Sequence, residues 1–360
     1  MLSQCWEALT SSCRRSTADD PTTCHTNNRG GGVTITGNFI LDQLLTIILY
    51  GTIVVLFVSV NALFLVWAER KISARIQLRQ GPLHVGFQGL LQTLADAIKL
   101  ISKELVWPHE ADKFVFWLAP VLVFAPILSA FIIIPLSQHF IIRDLNVGFL
   151  FVFSLTNISF IGIFIAGWSS NSKYALLGSM RAVAQNISYE IPLFLSTMGI
   201  VMAAGSLRLT DIVAYQSKSW FIFTQFPAFL IFITAALAEA NRAPFDIPEA
   251  ESELVAGFHT EYSGMRFALF FLGEYTAIFI SSAIGASLFL GGWHGPFLPG
   301  PVWLLLKTYF LVFVIMWIRW TFPRLRSDQL MSLAWKVLIP FAMANILLTA
   351  VMIQFQKFFT

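Results

Sequence analysis

Apolar runs long enough to cross a bilayer recur along the chain from residue 43 to residue 356. A hydrocarbon core about 30 Å thick needs roughly 20 apolar residues of helix, because backbone N–H and C=O groups cannot stay unpaired in lipid. Charge-free stretches at residues 43–68, 114–142, 145–172, 219–238 and 337–356 meet that length outright. Three further spans carry a charge within them: about 181–205 with Glu190, about 266–290 with Glu274 and about 302–320 with Lys307. The pattern predicts an all-α, polytopic membrane protein of eight transmembrane helices, forming a single membrane domain over residues 38–357. Residues 1–37 are polar and rich in Ser, Thr and Gly with no apolar core of a signal peptide, so a disordered tail is expected there.

The first loop, within the basic region 69–110, has a pattern of its own. From Phe87 onward, Leu90, Leu91, Leu94, Ile98, Ile101 and Leu105 recur at helical spacing, while Gln88, Gln92, Asp96, Lys99 and Lys103 fill the opposite face. This predicts an amphipathic surface helix, separated from the preceding basic segment by Gly81-Pro82. A helix lying at the headgroup boundary explains the pattern by itself.

Charge then sets orientation. Loops one, three, five and seven hold 15 basic residues: Arg70, Lys71, Arg75, Arg79, Lys99, Lys103, Lys113, Lys173, Arg181, Arg242, Arg266, Arg319, Arg324, Arg326 and Lys336. The even side holds four: Arg143, Arg208, Lys218 and Lys307. Since basic residues are retained on the cytoplasmic or matrix side, the odd loops are expected to face it. Composition agrees with a bilayer protein: 56% hydrophobic and 12% charged residues, with a mean hydropathy of +0.71, against roughly 25% charged in soluble domains. A net charge of +3 gives no footprint for nucleic acid. Cys5, Cys13 and Cys24 are the only cysteines, which leaves the spans without thiolates for zinc or an iron–sulfur cluster. Walker, dinucleotide-binding and zinc-hydrolase motifs are absent.

A charge near the bilayer centre costs roughly 2.5–3.5 kcal/mol on insertion scales, so Glu190 and Glu274 each need a partner, a proton or a watery cavity. With Arg181 and Arg266 taken as the ends of their helices, both acids lie about 12–14 Å deep. They are packing residues between helices or members of a charge pathway. The acidic fifth loop, 239–266, adds Glu239, Asp246, Glu249, Glu251, Glu253 and Glu261 against Arg242 and Arg266. Pro248 suits the first turn of a short helix, whose dipole would favour Asp246, Glu249 and Glu251. Glu253, four residues after Glu249, adds like-charge repulsion on one face. A solvated acidic face and a proton-accessible relay both fit this spacing.

At this loop the chain resembles a known family. The stretch AEANRAPFDIPEAESELVAGFHTEYSGMRFALFFLGEY (Ala238 to Tyr275) is similar to the corresponding loop of the family of subunit 1, also called the H subunit, of the proton-pumping NADH:quinone oxidoreductase, respiratory complex I. AERK (Ala68 to Lys71), QLRQGP (Gln77 to Pro82), LADAIKLISKE (Leu94 to Glu104), AGWSSNSKYALLGSMRAVAQNISYE (Ala166 to Glu190), GGW (Gly291 to Trp293) and FPRLRSDQLMSLAWK (Phe322 to Lys336) extend the likeness over residues 39–357. Leu83 and Ala240 depart from the family pattern, which usually has Asn and Thr there, and the long tail is atypical.

The resemblance implies a membrane anchor subunit with no redox centre of its own, working within a multi-subunit translocase. Quinone would be the substrate; flavin and iron–sulfur clusters would lie in partner subunits. Those partners would be peripheral-arm subunits carrying the terminal cluster and the quinone-site cap, small membrane subunits and antiporter-like pumping subunits, all within membrane lipid. The expected location is a bacterial plasma membrane or the mitochondrial inner membrane. Glu69, Arg70, Arg79 and Asp96, with Arg242, Asp246, Glu249, Glu251 and Glu253, match the quinone passage and chamber. The passage itself would be lined by the first loop's helix with the first and sixth spans. Arg181, Glu190, Glu239, Glu261 and Glu274 match a proton or charge relay. Two other readings are an equivalent anchor in a membrane-bound hydrogenase or ferredoxin:plastoquinone oxidoreductase, and an independent proton-coupled transporter. The latter folds commonly carry internal repeats, and none is visible here.

Overall fold

The computed structural model describes residues 39–137, 141, 143–217, 219–248 and 255–359. The expected polar tail and the expected short helix after Pro248 lie outside them. The described residues contain helices and no strand. The chain divides into two compact units, residues 1–52 and 53–360, and every tertiary contact below is within the second.

The elements in order are α1 (Phe39–Ile76), α2 (Gln92–Ser102), α3 (Lys113–Ala130), α4 (Gly148–Ser169), α5 (Lys173–Ala204), α6 (Leu209–Tyr215), α7 (Phe221–Thr224), α8 (Phe226–Glu239), α9 (Gly264–Phe289), α10 (Gly300–Thr321), α11 (Ser327–Leu333) and α12 (Ile339–Phe359). Among the described residues seven stretches are long and apolar enough to cross a membrane: Ile48–Ile76, Lys113–Ala130, Gly148–Ser169, Lys173–Ala204, Gly264–Phe289, Gly300–Thr321 and Ser327–Phe355. The fifth expected span, 219–238, folds as α7 and α8 around Gln225, whose φ of −122° and ψ of 39° are not helical. Pro227 sits in the first turn of α8, where its missing N–H costs nothing. The break is satisfied by Gln225 itself, which donates to Thr349 at 2.8 Å and accepts from Asn345 at 2.9 Å. α8 alone, at 14 residues, is shorter than a span.

Other boundaries also moved. α1 continues to Ile76, so Glu69, Arg70, Lys71 and Arg75 are on a helix and not in a loop. The first loop's helix starts at Gln92 and ends at Ser102; Phe87–Gly89 form a separate 3-10 turn with Gln88 and Gly89 at positive φ. Apolar spacing continued the pattern through a backbone reversal that it cannot sense. α3 stops at Ala130 although the charge-free run continues. Arg181 lies about two turns inside α5, which begins at Lys173, so it does not mark the start of that helix.

The main core gathers α1, α4, α5, α8, α9 and α10 around fully buried Leu65, Phe149, Tyr189, Ile200, Leu288 and Leu304. A second cluster joins Phe116, Ala182, Phe258, Tyr262 and Phe270 under the fifth loop, with the Phe116 and Tyr262 rings stacked at 4.0 Å. Burial pushes the Tyr262 hydroxyl up to about 12, against the smaller opposing pull of its Ser169 hydrogen bond and Arg266. Near the last helix, Ala334–Leu338 form a π turn. Pro340 explains it: without an N–H, it leaves the Lys336 carbonyl unclaimed in a regular α ladder.

Candidate functional site

Glu69 of α1, Glu274 and Tyr275 of α9, Arg319 of α10 and Arg242 of the segment following α8 come together. Glu69 is 5% exposed on α1. Its carboxylate accepts a 2.7 Å hydrogen bond from the Tyr275 hydroxyl of α9 and pairs with the Arg319 guanidinium of α10. The Tyr275 ring in turn lies under Arg242, whose guanidinium carbon is 4.8 Å from the ring centre. Arg242 donates to Glu274 at 3.0 Å, and their side chains are only 5% and 17% exposed. Arg319, Glu69, Tyr275, Arg242 and Glu274 thus form one continuous, largely buried chain of contacts. A burial of this kind is tolerable only when each charge is matched, since an unpaired ion loses several kcal/mol of solvation.

The segment bearing Arg242 is held by polar side chains from other helices. Gln185 of α5 is buried and splits its amide hydrogens, donating to the Ala238 carbonyl at 2.8 Å and the Phe245 carbonyl at 2.7 Å. Asn241 turns the chain at a φ of 49°, a region asparagine tolerates better than most residues. On the far side Arg324 donates to Asp246 at 2.9 Å, and the Leu325 amide donates to the Pro244 carbonyl at 3.0 Å. The seventh loop therefore buttresses the fifth. The Tyr189 hydroxyl extends this, donating to the Leu330 carbonyl at 2.9 Å from a fully buried position.

A second group lies within the bundle. Asn157 of α4 donates to the Glu190 carboxylate. Glu239, at the end of α8, is close enough to Glu190 for the two carboxylates to interact electrostatically. Beside Glu239 is a cavity of about 60 Å³, otherwise lined mostly by apolar groups such as Phe232 and Ile284, with Thr156 and Ser281 as its hydroxyls. Its volume exceeds the about 10–15 Å³ that a water molecule needs, and Glu239, Thr156 and Ser281 are the polar side chains on its wall.

The remaining expected site residues are dispersed. Arg70 and Asp96 form a 2.7 Å ion pair, exposed at 43% and 37%, that ties α1 to α2. Arg79 is exposed and donates to Gln77 at 2.6 Å. Arg181 is exposed and Glu261 half-buried. Glu249, Glu251 and Glu253 lie outside the described residues, and so does any grouping of Glu253 with Glu190 and Glu274. Among described partners those last two acids differ: Glu190 has Asn157 and Glu239, and Glu274 has Arg242.

Sequence reasoning did not single out Arg319, Tyr275, Asn157, Gln185 or Arg324. Arg319 and Arg324 count in the sequence only as loop charge, because a basic residue at or beyond the end of an apolar span is already accounted for by its retention on one membrane side. Tyr275 directly follows Glu274, yet helical geometry turns the two residues in different directions, and only packing identifies their separate partners. Among the described residues no group of three or more His, Cys, Asp or Glu side chains could hold a metal ion.

A family model described as NADH dehydrogenase matches residues 49–350. The H subunit of the NADH-quinone oxidoreductase of Dehalococcoides mccartyi is 50% identical over 304 residues, 84% of this chain and 84% of that protein. H subunit 1 of the same enzyme in Geobacter metallireducens is 54% identical over 297 residues, 80% of this chain and 90% of its own. The H subunit of Paramagnetospirillum magneticum is 48% identical over 314 residues, 86% and 92% of the two chains.

Proposed function

Because the chain belongs to the NADH dehydrogenase family that includes the H subunit of NADH-quinone oxidoreductase, we propose that it is the membrane anchor subunit that couples quinone reduction to proton translocation. The observation that carries the reading is the chain of contacts from Glu69 through Tyr275 and Arg242 to Glu274. It links a residue of the expected quinone chamber to one of the expected relay through a single aromatic side chain. Alternating charges in a low-dielectric setting respond together when one of them changes.

In this reading the quinone tail enters along an apolar passage that α2 frames with the first and sixth spans, α1 and α9. The head group passes Glu69, Arg70, Arg79 and Asp96 into a chamber completed by Arg242, Asp246, Glu249, Glu251 and Glu253 and by a partner subunit. Two electrons arrive from a partner's iron–sulfur cluster and two protons complete quinol formation. The negative charge that precedes protonation attracts protons to nearby carboxylates and pulls on Arg242 and Arg319. Displacement of Arg242 changes the pairing of Glu274, and proton redistribution continues through Glu261, Glu239, Glu190 and Arg181 toward antiporter-like subunits. The cavity beside Glu239 gives that transfer room for water. α7 and α8 together complete an eighth crossing, with the odd loops on the cytoplasmic or matrix side. The reading needs no metal ligand from this chain.

Membranes carrying Glu274→Gln test it. Complex abundance, quinone reduction and proton translocation are measured on the same preparation, with ferricyanide as an acceptor that bypasses the quinone site. Coupling through Glu274 predicts normal abundance and normal ferricyanide reduction while quinone reduction and pumping fall together. Full quinone activity with intact pumping would remove Glu274 from the pathway, and loss of assembled complex with normal specific activity would make the Arg242 pair structural.

A further inference from the structure

A groove of about 730 Å³ runs between α1 and α10. Phe57, Phe64 and Ile72 line it from α1; Leu306, Phe313 and Met316 from α10. The two helices run in the same direction, because the Tyr309–Asn61 and Arg319–Glu69 contacts join them at nearly constant offsets of 248 and 250 residues. From Phe57 to Ile72 the groove extends about 22 Å, longer than the roughly 15 Å hydrocarbon depth of one leaflet. Its polar wall groups satisfy each other: the Tyr309 hydroxyl donates to the Asn61 amide oxygen at 2.7 Å. What remains is a channel walled mainly by apolar side chains, suited to a hydrocarbon chain.

One end is charged. The helical register of the α1 face that includes Phe57, Phe64, Ala68 and Ile72 carries on through Lys71 and Arg75. Neither cation has an ion pair or hydrogen bond among the described residues, and Arg75 is exposed. Trp320 ends the matching face of α10, an amphipathic ring typical of headgroup depth. We propose that this groove binds one acyl chain of an anionic phospholipid, with the lipid phosphate against Lys71 and Arg75. A partner transmembrane helix fits less well. Close helix docking in lipid uses small residues, and these walls carry Phe and Met with Ala68 as the small exception. The occupant goes beyond the quinone reading and does not depend on it.

The test uses the intact complex in nanodiscs of phosphatidylcholine doped with phosphatidylglycerol that carries a photoreactive acyl chain. Adducts are expected on residues 57–72 and 302–316, displaced by unlabelled phosphatidylglycerol and not by added phosphatidylcholine. Lys71→Gln and Arg75→Gln should each cut adduct yield about fivefold, from roughly 1 kcal/mol per basic residue near an anionic lipid. Leu306→Trp, which fills the groove and leaves the charge, should also abolish the adducts. The competition needs no variant, so a substitution that fails to assemble leaves the result intact. Equal displacement by both lipids would reduce the site to ordinary annular contact and overturn the proposal. Displacement by quinone alone, or crosslinks from these segments to a helix of another subunit, would overturn it in favour of those occupants.

Discussion

The Tyr275 hydroxyl donates a 2.7 Å hydrogen bond to the Glu69 carboxylate, joining α9 to α1 across 206 positions of sequence. The same ring faces Arg242, so one side chain touches both an acid of the first span and a cation of the fifth loop. Tyr275→Phe keeps the ring over Arg242 and removes only the hydroxyl. Loss of a hydrogen bond to a charged group costs about 1.5–3 kcal/mol. We expect normal assembly and ferricyanide reduction with quinone reduction lowered by at least an order of magnitude. Unchanged kinetics with a long-tailed quinone would show that the link between Glu69 and the loop is not used.

Arg242 and Glu274 form a pair that is mostly out of solvent. Removing one partner of a buried pair costs about 3–5 kcal/mol, because the other charge stays behind. Arg242→Ala should therefore lower the amount of assembled complex on native gels more than Glu274→Gln does, since the neutral amide can still accept from Arg242. The double variant Arg242→Met with Glu274→Leu should recover assembly but not quinone reduction. Recovery of both would assign the pair to stability alone.

Lys307 is 5% exposed in α10 and donates to three carbonyls of the preceding loop: Leu290 at 2.6 Å, Gly292 at 3.0 Å and His294 at 2.7 Å. Its ammonium also lies 4.6 Å from the Trp220 ring centre. An intramembrane charge is thereby matched by the carbonyl end of α9, whose dipole favours a cation. Lys307→Met would strand three acceptors at about 1–3 kcal/mol each. Complex abundance should fall sharply, while the fraction that assembles keeps its specific quinone activity.

His294 sits in the loop that Lys307 caps. Burial first, and the Lys307 charge second, hold its imidazole below the ordinary histidine range, against a smaller opposing effect of a backbone hydrogen bond. The unfolded chain therefore binds the proton at a higher pH than the folded one. Stability contributed by the neutral ring is present above the ordinary value of about 6.5 and is lost as pH falls below it. The thermal midpoint of the detergent-solubilised complex should drop on acidification through that range, and His294→Gln should flatten the slope. An identical slope in the variant would assign the acid sensitivity to other groups.

Sidedness is testable at exposed positions. Gln77→Cys, Lys173→Cys and Ser327→Cys, in a background without the native cysteines, should label from one membrane face, and Ser217→Cys from the other. Partner subunits can cover these sites, so stripped membranes serve as the control. Labelling of Ser217→Cys and Ser327→Cys from one face, with Gln77→Cys and Lys173→Cys from the other, would mean that α7 and α8 do not complete a crossing.

The sequence alone determined that this chain is helical and built for a bilayer, because apolar length and the segregation of Lys and Arg are one-dimensional properties. It also marked Glu190, Glu274 and the fifth-loop acids, since a charge inside an apolar run is costly wherever the run folds. Span ends were less legible: Gln225 interrupts the predicted fifth crossing through backbone angles that side-chain apolarity does not encode, and Gly89 reverses the chain inside an unbroken amphipathic pattern. Tertiary structure decided which charges are partners. Arg319 reaches Glu69 across 250 positions and Gln185 spans the backbone on both sides of Arg242. Such pairings follow from how helices pack, and packing sums weak contacts over the whole bundle, which no local spacing records.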